Sequence, residues 1–246
     1  MSIRNSPTGA LSGWCPQNPP LGADPRIAGV SHDEEIVEGP PEEPSEEELQ
    51  RREAALSQVI SFGDPILRSR ASEVHEFGPQ LRQEAERMVQ IMRDAMGVGL
   101  AATQLGVLRR MLVFQAGPDA TPSLLVNPLI EWASGELATA TEGCLSLPRV
   151  VVDVERPLHV RATGCDASGE PVTIEASGLE ARILQHEIDH LDGVLVLDRT
   201  ERAQRKGAMR ALREGTSFAP VSDEDEEDAG ADRVNEGDRA GVSEGS

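Results

Sequence analysis

The stretch Gly178–Gly193, GLEARILQHEIDHLDG, decides how the chain is read. At about 100° per residue it lays His186, His190, Leu179 and Ile183 within a narrow arc of one helix. Glu187, Leu191, Leu184 and Ile188 widen that arc, while Arg182, Gln185 and Asp189 fall on the opposite side, which is expected to face water. The helix is therefore predicted to turn its two histidines inward. A buried imidazole needs a hydrogen bond or a metal. Two imidazoles at i and i+4 can grip one ion, with Glu187 beside them as a base. The alternative is a helix with two hydrogen-bonded core histidines, and the rest of the chain has to decide between the two.

The composition narrows the choice. Residues 1–50 and residues 223–246 each carry ten acids against two bases, so sixteen of the twenty net negative charges lie at the ends. Both ends are rich in Pro, Gly and Ser and poor in large apolar residues, too little to offset the entropy of ordering. We expect residues 1–46 and 216–246 to be disordered acidic extensions and residues 47–215 to form one catalytic domain. With no Tyr, two Trp and four Phe, the core must be aliphatic. Such a chain offers no stacking platform for single-stranded nucleic acid, and no sequence-specific nucleic-acid binding is expected. No apolar run approaches the ~20 residues of a membrane span, and the N-terminal residues lack the apolar core of a secretion signal. Cys15, Cys144 and Cys165 are isolated and do not suggest a disulfide framework. The expected compartment is the cytoplasm.

Along the chain, Ser45-Glu-Glu-Glu48 is a capping-box pattern that opens a helix through LQRREAALSQVI. Pro79 opens another, PQLRQEAERMVQIMRDAM, with Leu81, Ala85, Met88, Val89, Met92 and Met96 at helical spacing and Gly97 as its stop. Six β-like runs follow: Met111–Gln115, Ser123–Val126, Leu129–Ala133, Val150–Val154, Leu158–Ala162 and Val172–Ala176. The turns between them imply antiparallel sheet, so the fold class is α+β, with antiparallel β-sheets around the central histidine-bearing helix. Beyond that helix, Arg199–Arg213 forms a basic helical segment, which Gly207 weakens by about 1 kcal/mol relative to Ala.

A catalytic metal held by a His-x3-His pair needs a third protein ligand and an open position for water. Cys15 lies in the acidic end and Cys165 in a hairpin turn. Cys144 follows Gly143 inside the compact region and is the best candidate. One thiolate and two imidazoles suit Zn²⁺ or Fe²⁺. Glu187 can pass a proton from the water to a leaving amine. The Gln104 amide and a backbone N–H near Cys144 could face an oxyanion.

Three segments in this order, GVGLAATQ (97–104), EGCLS (142–146) and QHEIDHLDG (185–193), resemble the three signature motifs of the peptide deformylases, and the similarity spans roughly residues 57–200. That resemblance implies a metal-dependent amidohydrolase that removes the N-formyl group from the formyl-methionine of nascent peptides. It implies Cys144, His186 and His190 as metal ligands, Glu187 as general acid and base, and Gln104 with the N–H of Leu145 as oxyanion donors. It implies Fe²⁺ as the preferred ion, with Ni²⁺, Co²⁺ or Zn²⁺ as substitutes. A methionine pocket of Val98, Gly99, Leu179, Ile183 and His186 is implied, as are backbone pairing of the substrate at Gly97–Gly99 and support of Glu142 by Arg156. In some members of that family a C-terminal helix docks on the ribosome, so the basic segment 199–213 is read either as a contact for ribosomal RNA phosphates or as a solvated helix face. The competing readings are a metallopeptidase of the His-Glu-x-x-His type, a binding module without chemistry, and a structural zinc site. The intact motifs and the lack of a fourth ligand near Cys144 argue against them.

Overall fold

A computed structural model describes residues 44–220. The expectations for residues 1–43 and 221–246, including Cys15 and both acidic runs, lie outside the described residues. Helix α1 (Glu46–Leu56) starts at the capping box: the Glu48 N–H donates to Ser45 Oγ at 3.3 Å, and the Ser45 N–H donates to Glu48 Oε2 at 2.8 Å. Helix α2 (Pro79–Asp94) has proline in its first turn and buries Leu81, Ala85, Met88, Ile91 and Met92. Met96, expected on that buried face, is instead 65% exposed. The helix has already ended there, and Met96 takes φ 60° to turn the chain into the next segment.

Strands β1 (Gly99–Ala101), β2 (Met111–Phe114), β3 (Ser123–Ala133), β6 (His159–Cys165) and β7 (Pro171–Ser177) form one antiparallel sheet in the order β1-β2-β3-β6-β7. Strands β4 (Leu137–Cys144) and β5 (Leu147–Pro157) form a second, two-stranded sheet. The α+β class and the antiparallel pairing are those expected. Two of the expected runs merge into β3 across Pro128, where the pairing with β6 shifts register, as suits a residue with no ladder donor. Strand β4 was not anticipated. Only Glu142 of its eight residues is buried, so it has no apolar alternation to betray it, and its pairing with β5 makes it a strand.

Helix α3 (Gly178–Leu191) runs between these layers and touches β1, β2, β3, β5, β6 and β7. Its side chains Ala181, Ile183, Leu184, Ile188 and Leu191 share a core with Leu112, Phe114, Leu125, Val160 and Ala162 of the large sheet. A second core joins α2 to β1 and β2. A third joins Val150, Val152 and Val154 of β5 to Ala208 and Ala211 of helix α4 (Arg202–Glu214). Gly207, which lowers helix propensity, has a packing reason: a Cβ there would come within 2.2 Å of the Phe218 ring. The backbone of Phe218 in turn pairs with β5, donating to the Arg149 carbonyl at 3.0 Å and accepting from the Val151 N–H at 2.9 Å. Phe218, assigned from the sequence to the C-terminal extension, thus lies against the small sheet.

Candidate active site

Helix α3 carries His186, Glu187 and His190 into the space between the two sheets. Strand β4 delivers Cys144 to the same place, because the register shift after Gly143 closes β4 onto β5 directly, pairing Cys144 with Leu147. Cys144 Sγ lies 3.1 Å from His190 Nε2, and the ligand atoms of Cys144, His186 and His190 all lie within 4.8 Å of one another. Metal–ligand bonds of about 2.0–2.3 Å bridge such a spacing with little movement. A thiolate with two imidazoles is a donor set for Zn²⁺ or Fe²⁺ rather than for Mg²⁺ or Ca²⁺. The residues present therefore fit a single transition-metal ion.

The supporting shell is ionic and buried. The Nδ1 of His186 lies 2.9 Å from Glu142 Oε2, which leaves Nε2 for a ligand. Glu142 also accepts from Arg156 at 2.6 and 3.0 Å and from Arg182 at 2.7 Å. Burial pushes the Glu142 carboxyl up, but the hydrogen bonds from His186 and Arg156 more than offset this and hold it at about 2. Arg156 reaches past Glu142 to Asp189 at 2.9 Å, and Asp189 is gripped from its other side by Arg199. Asp189 is buried, and Arg182 is tied to Glu142 and to the carbonyls of Ala138 and Val154. Both were expected on a wet helix face. The small sheet and the segment after α3 cover that face, and paired charges take the place of water there. Conversely, Leu179, expected inside, is 55% exposed.

Glu187 is 4% exposed and packs against the backbone of Gly99, where a Cβ would come within 2.4 Å of its Oε1. Its Oε2 has no hydrogen-bond partner. Burial, opposed by the His186 charge and the Ala101 backbone, pushes its carboxyl up to about 7. Burial opposes a charge on both imidazoles. Hydrogen bonds that His186 donates to Cys144 and Glu142 nevertheless raise it, whereas burial and the His186 charge push His190 down. Gln104 is buried, with Oε1 accepting from the Ala101 N–H at 2.8 Å and Nε2 3.6 Å from Cys144 Sγ and 3.4 Å from Ser146 Oγ. Ser146, which the motif reading passed over, thus helps to orient Gln104.

These groups open onto a cleft of about 600 Å³, whose lining includes Val98, Gly99, Gln104, Cys144, Leu145, Leu179, Ile183, His186 and Glu187. Arg199, grouped with the basic segment in the sequence, is committed to Asp189. Arg202, Lys206, Arg210 and Arg213 remain exposed on α4.

A buried glutamate whose carboxyl is pushed up by burial, beside a Cys/His/His group that fits a transition metal and at the end of a cleft of peptide size, is the constellation expected of a metal-dependent hydrolase. The known relatives sharpen the class. The sequence pattern of the polypeptide deformylase family matches residues 56–206. The chain is 48% identical over 146 residues to peptide deformylase 2 of Gloeobacter violaceus, covering 58% of this chain and 78% of that protein. It is 45% identical over 166 residues to peptide deformylase 1 of Corynebacterium glutamicum, covering 67% and 98%. Among solved structures, the peptide deformylase of Synechococcus elongatus in complex with actinonin superposes with a TM-score of 0.60 at 40% identity, over 66% of this chain and 91% of that one. That of Thermotoga maritima gives a TM-score of 0.56 at 41% identity, over 58% and 96%. The chain belongs to the peptide deformylase family, metal-dependent hydrolases that remove the N-formyl group from newly synthesised polypeptides.

Proposed function

We propose that Cys144 Sγ and the Nε2 atoms of His186 and His190 hold one divalent ion, Fe²⁺ in the cell, with Ni²⁺, Co²⁺ or Zn²⁺ as substitutes. A bound ion supplies Lewis acidity toward the formyl carbonyl and lowers the pKa of water toward ~7. The remaining work falls to the chain. Glu187 takes the proton of the attacking water and returns it to the leaving amide nitrogen, both directions being accessible to a carboxyl at about 7. The Gln104 amide and the Leu145 N–H donate to the oxygen on which charge develops. Glu142, fixed by Arg156, holds the His186 ring through Nδ1, which would leave Nε2 free to ligate an ion. Val98, Gly99, Leu179, Ile183 and His186 form the methionine pocket, and the backbone at Gly97–Gly99 pairs with the peptide.

The observation that carries this reading is the convergence of Cys144, His186 and His190 beside the partnerless Glu187 Oε2. The test is formate release from formyl-Met-Ala-Ser by protein purified anaerobically with Fe²⁺. Activity should vanish with a chelator. It should also vanish in Glu187→Ala while that variant still binds metal. Near-full activity of Glu187→Ala would overturn the assignment.

The substrates are N-formylmethionyl nascent peptides, met in the cytoplasm. The basic segment 199–213 contacts ribosomal RNA phosphates through the exposed side chains of α4. Affinity for ribosomes should then fall with salt and with Arg202→Ala, Lys206→Ala and Arg210→Ala, each lowering the salt slope by about one. No helix among the described residues is long and apolar enough to cross a membrane.

A further inference from the structure

The mouth of the cleft has a feature that the chemistry above leaves unused. Of the charged side chains in its lining, Glu142 is tied to Arg156 and Arg182, and Glu187 is the buried base. The exposed charged groups that remain are both arginines, Arg52 on α1 and Arg149 on β5. A doubly cationic rim is unusual on a chain of net charge −20.

An acidic run follows in the sequence a few residues beyond a segment anchored beside this rim. Phe218 is held by backbone hydrogen bonds to Arg149 and Val151, and its ring rests on Gly207. The described residues stop at Pro220, and the next ionisable residue is Asp223, the first of DEDEED. An extended chain covers roughly 3.3–3.6 Å per residue, so this run begins well within reach of the Arg149 side chain.

We propose that Asp223–Asp228 of this same chain docks on the Arg149 and Arg52 rim and competes there with peptide substrates for the cleft. The proposal rests on the cleft being the deformylation site. A short tether supplies an effective concentration of the order of millimolar, so weak carboxylate–guanidinium pairing suffices to populate the docked state. Such exposed pairing is screened by salt.

The test compares the full-length chain with a full-length variant in which Asp223, Glu224, Asp225, Glu226, Glu227 and Asp228 are replaced by Asn or Gln. With formyl-Met-Ala-Ser at about 0.01 M salt, the neutralised chain should show a KM lower by about threefold or more at unchanged kcat. At about 1 M salt, where the screening length is about 3 Å, the two chains should converge. Equal KM values at both salt concentrations overturn the proposal. So does a KM that falls on removal of residues 1–43 and not on neutralising the run, since another acidic segment would then be the occupant.

A second readout needs no turnover. A labelled peptide of residues 221–230 is titrated into the neutralised full-length chain and followed by fluorescence anisotropy. Salt-sensitive binding abolished by Arg52→Ala with Arg149→Ala is expected. Absence of binding, or binding abolished instead by Arg202→Ala with Lys206→Ala and Arg210→Ala, overturns the proposal. If no variant releases formate while the peptide binds at the two arginines, the catalytic reading fails and the docking stands.

Discussion

At the scale of single residues, the site depends on what Gly99 lacks. The Glu187 carboxylate occupies the space a Cβ would fill, so Gly99→Ala must push the base away from its position. A displacement of about 1 Å can cost a hundredfold in rate. We expect kcat to fall by about that factor while the thermal midpoint and metal content stay close to those of the parent, measured by formate release, scanning calorimetry and metal analysis. Glu142 is a different case, because it answers to three partners at once. Glu142→Gln keeps the shape but removes the charge that Arg156 and Arg182 share. Uncompensated buried charge costs about 3–5 kcal/mol. Urea unfolding should register a loss of that order together with weaker metal retention, and an unchanged midpoint would show that Asp189 alone satisfies Arg156.

At the scale of elements, α4 and the Phe218 segment act as one unit against β5. Gly207→Ala raises helix propensity by about 1 kcal/mol but drives a methyl into the Phe218 ring, and overpacking of this kind costs about 1–3 kcal/mol. Net destabilisation is expected by denaturant unfolding, and Gly207→Ala combined with Phe218→Ala should recover part of it. The elements differ in how far they could be read from residues. Helix α3 was legible because its apolar period and both histidines fit one arc. Helix α1 was legible because Ser45 and Glu48 cap each other locally. Strand β4 was hidden, since Thr139, Ala140 and Thr141 are exposed and owe their conformation to β5 across the ladder. Asp189 was misassigned for a related reason. Helical periodicity tells one face from its opposite but not whether the opposite face meets water or a guanidinium. The motifs marked Cys144, His186, Glu187, His190 and Gln104, whereas the ties of Arg182, Arg199 and Ser146 depend on contacts between distant segments.

At the scale of the whole molecule, the three cores lie within residues 44–220. We propose that this span folds by itself and that, once salt screens any docking of the acidic run, the ends add charge without adding stability. At about 1 M salt a protein of residues 44–220 should therefore melt at the same temperature as the full chain. Stripping the ion from either should lower the melting temperature, because an ion present at a hundred times its dissociation constant adds about 2.7 kcal/mol to the folded state.

One further consequence follows from where Cys144 sits. The thiol belongs to the small sheet and the two imidazoles to α3, so an ion held by all three would clamp two pieces of the fold that meet mainly through side chains. In the loaded protein the parting of the small sheet from α3 would require breaking a metal–sulfur bond, and in the stripped protein it would not. Lifetime, more than equilibrium, should record the difference. Under protease at moderate temperature the ion-free enzyme should be cut first near Gly135 and Glu136, the exposed part of the link that carries β4 away from the large sheet, long before either form reaches its melting point.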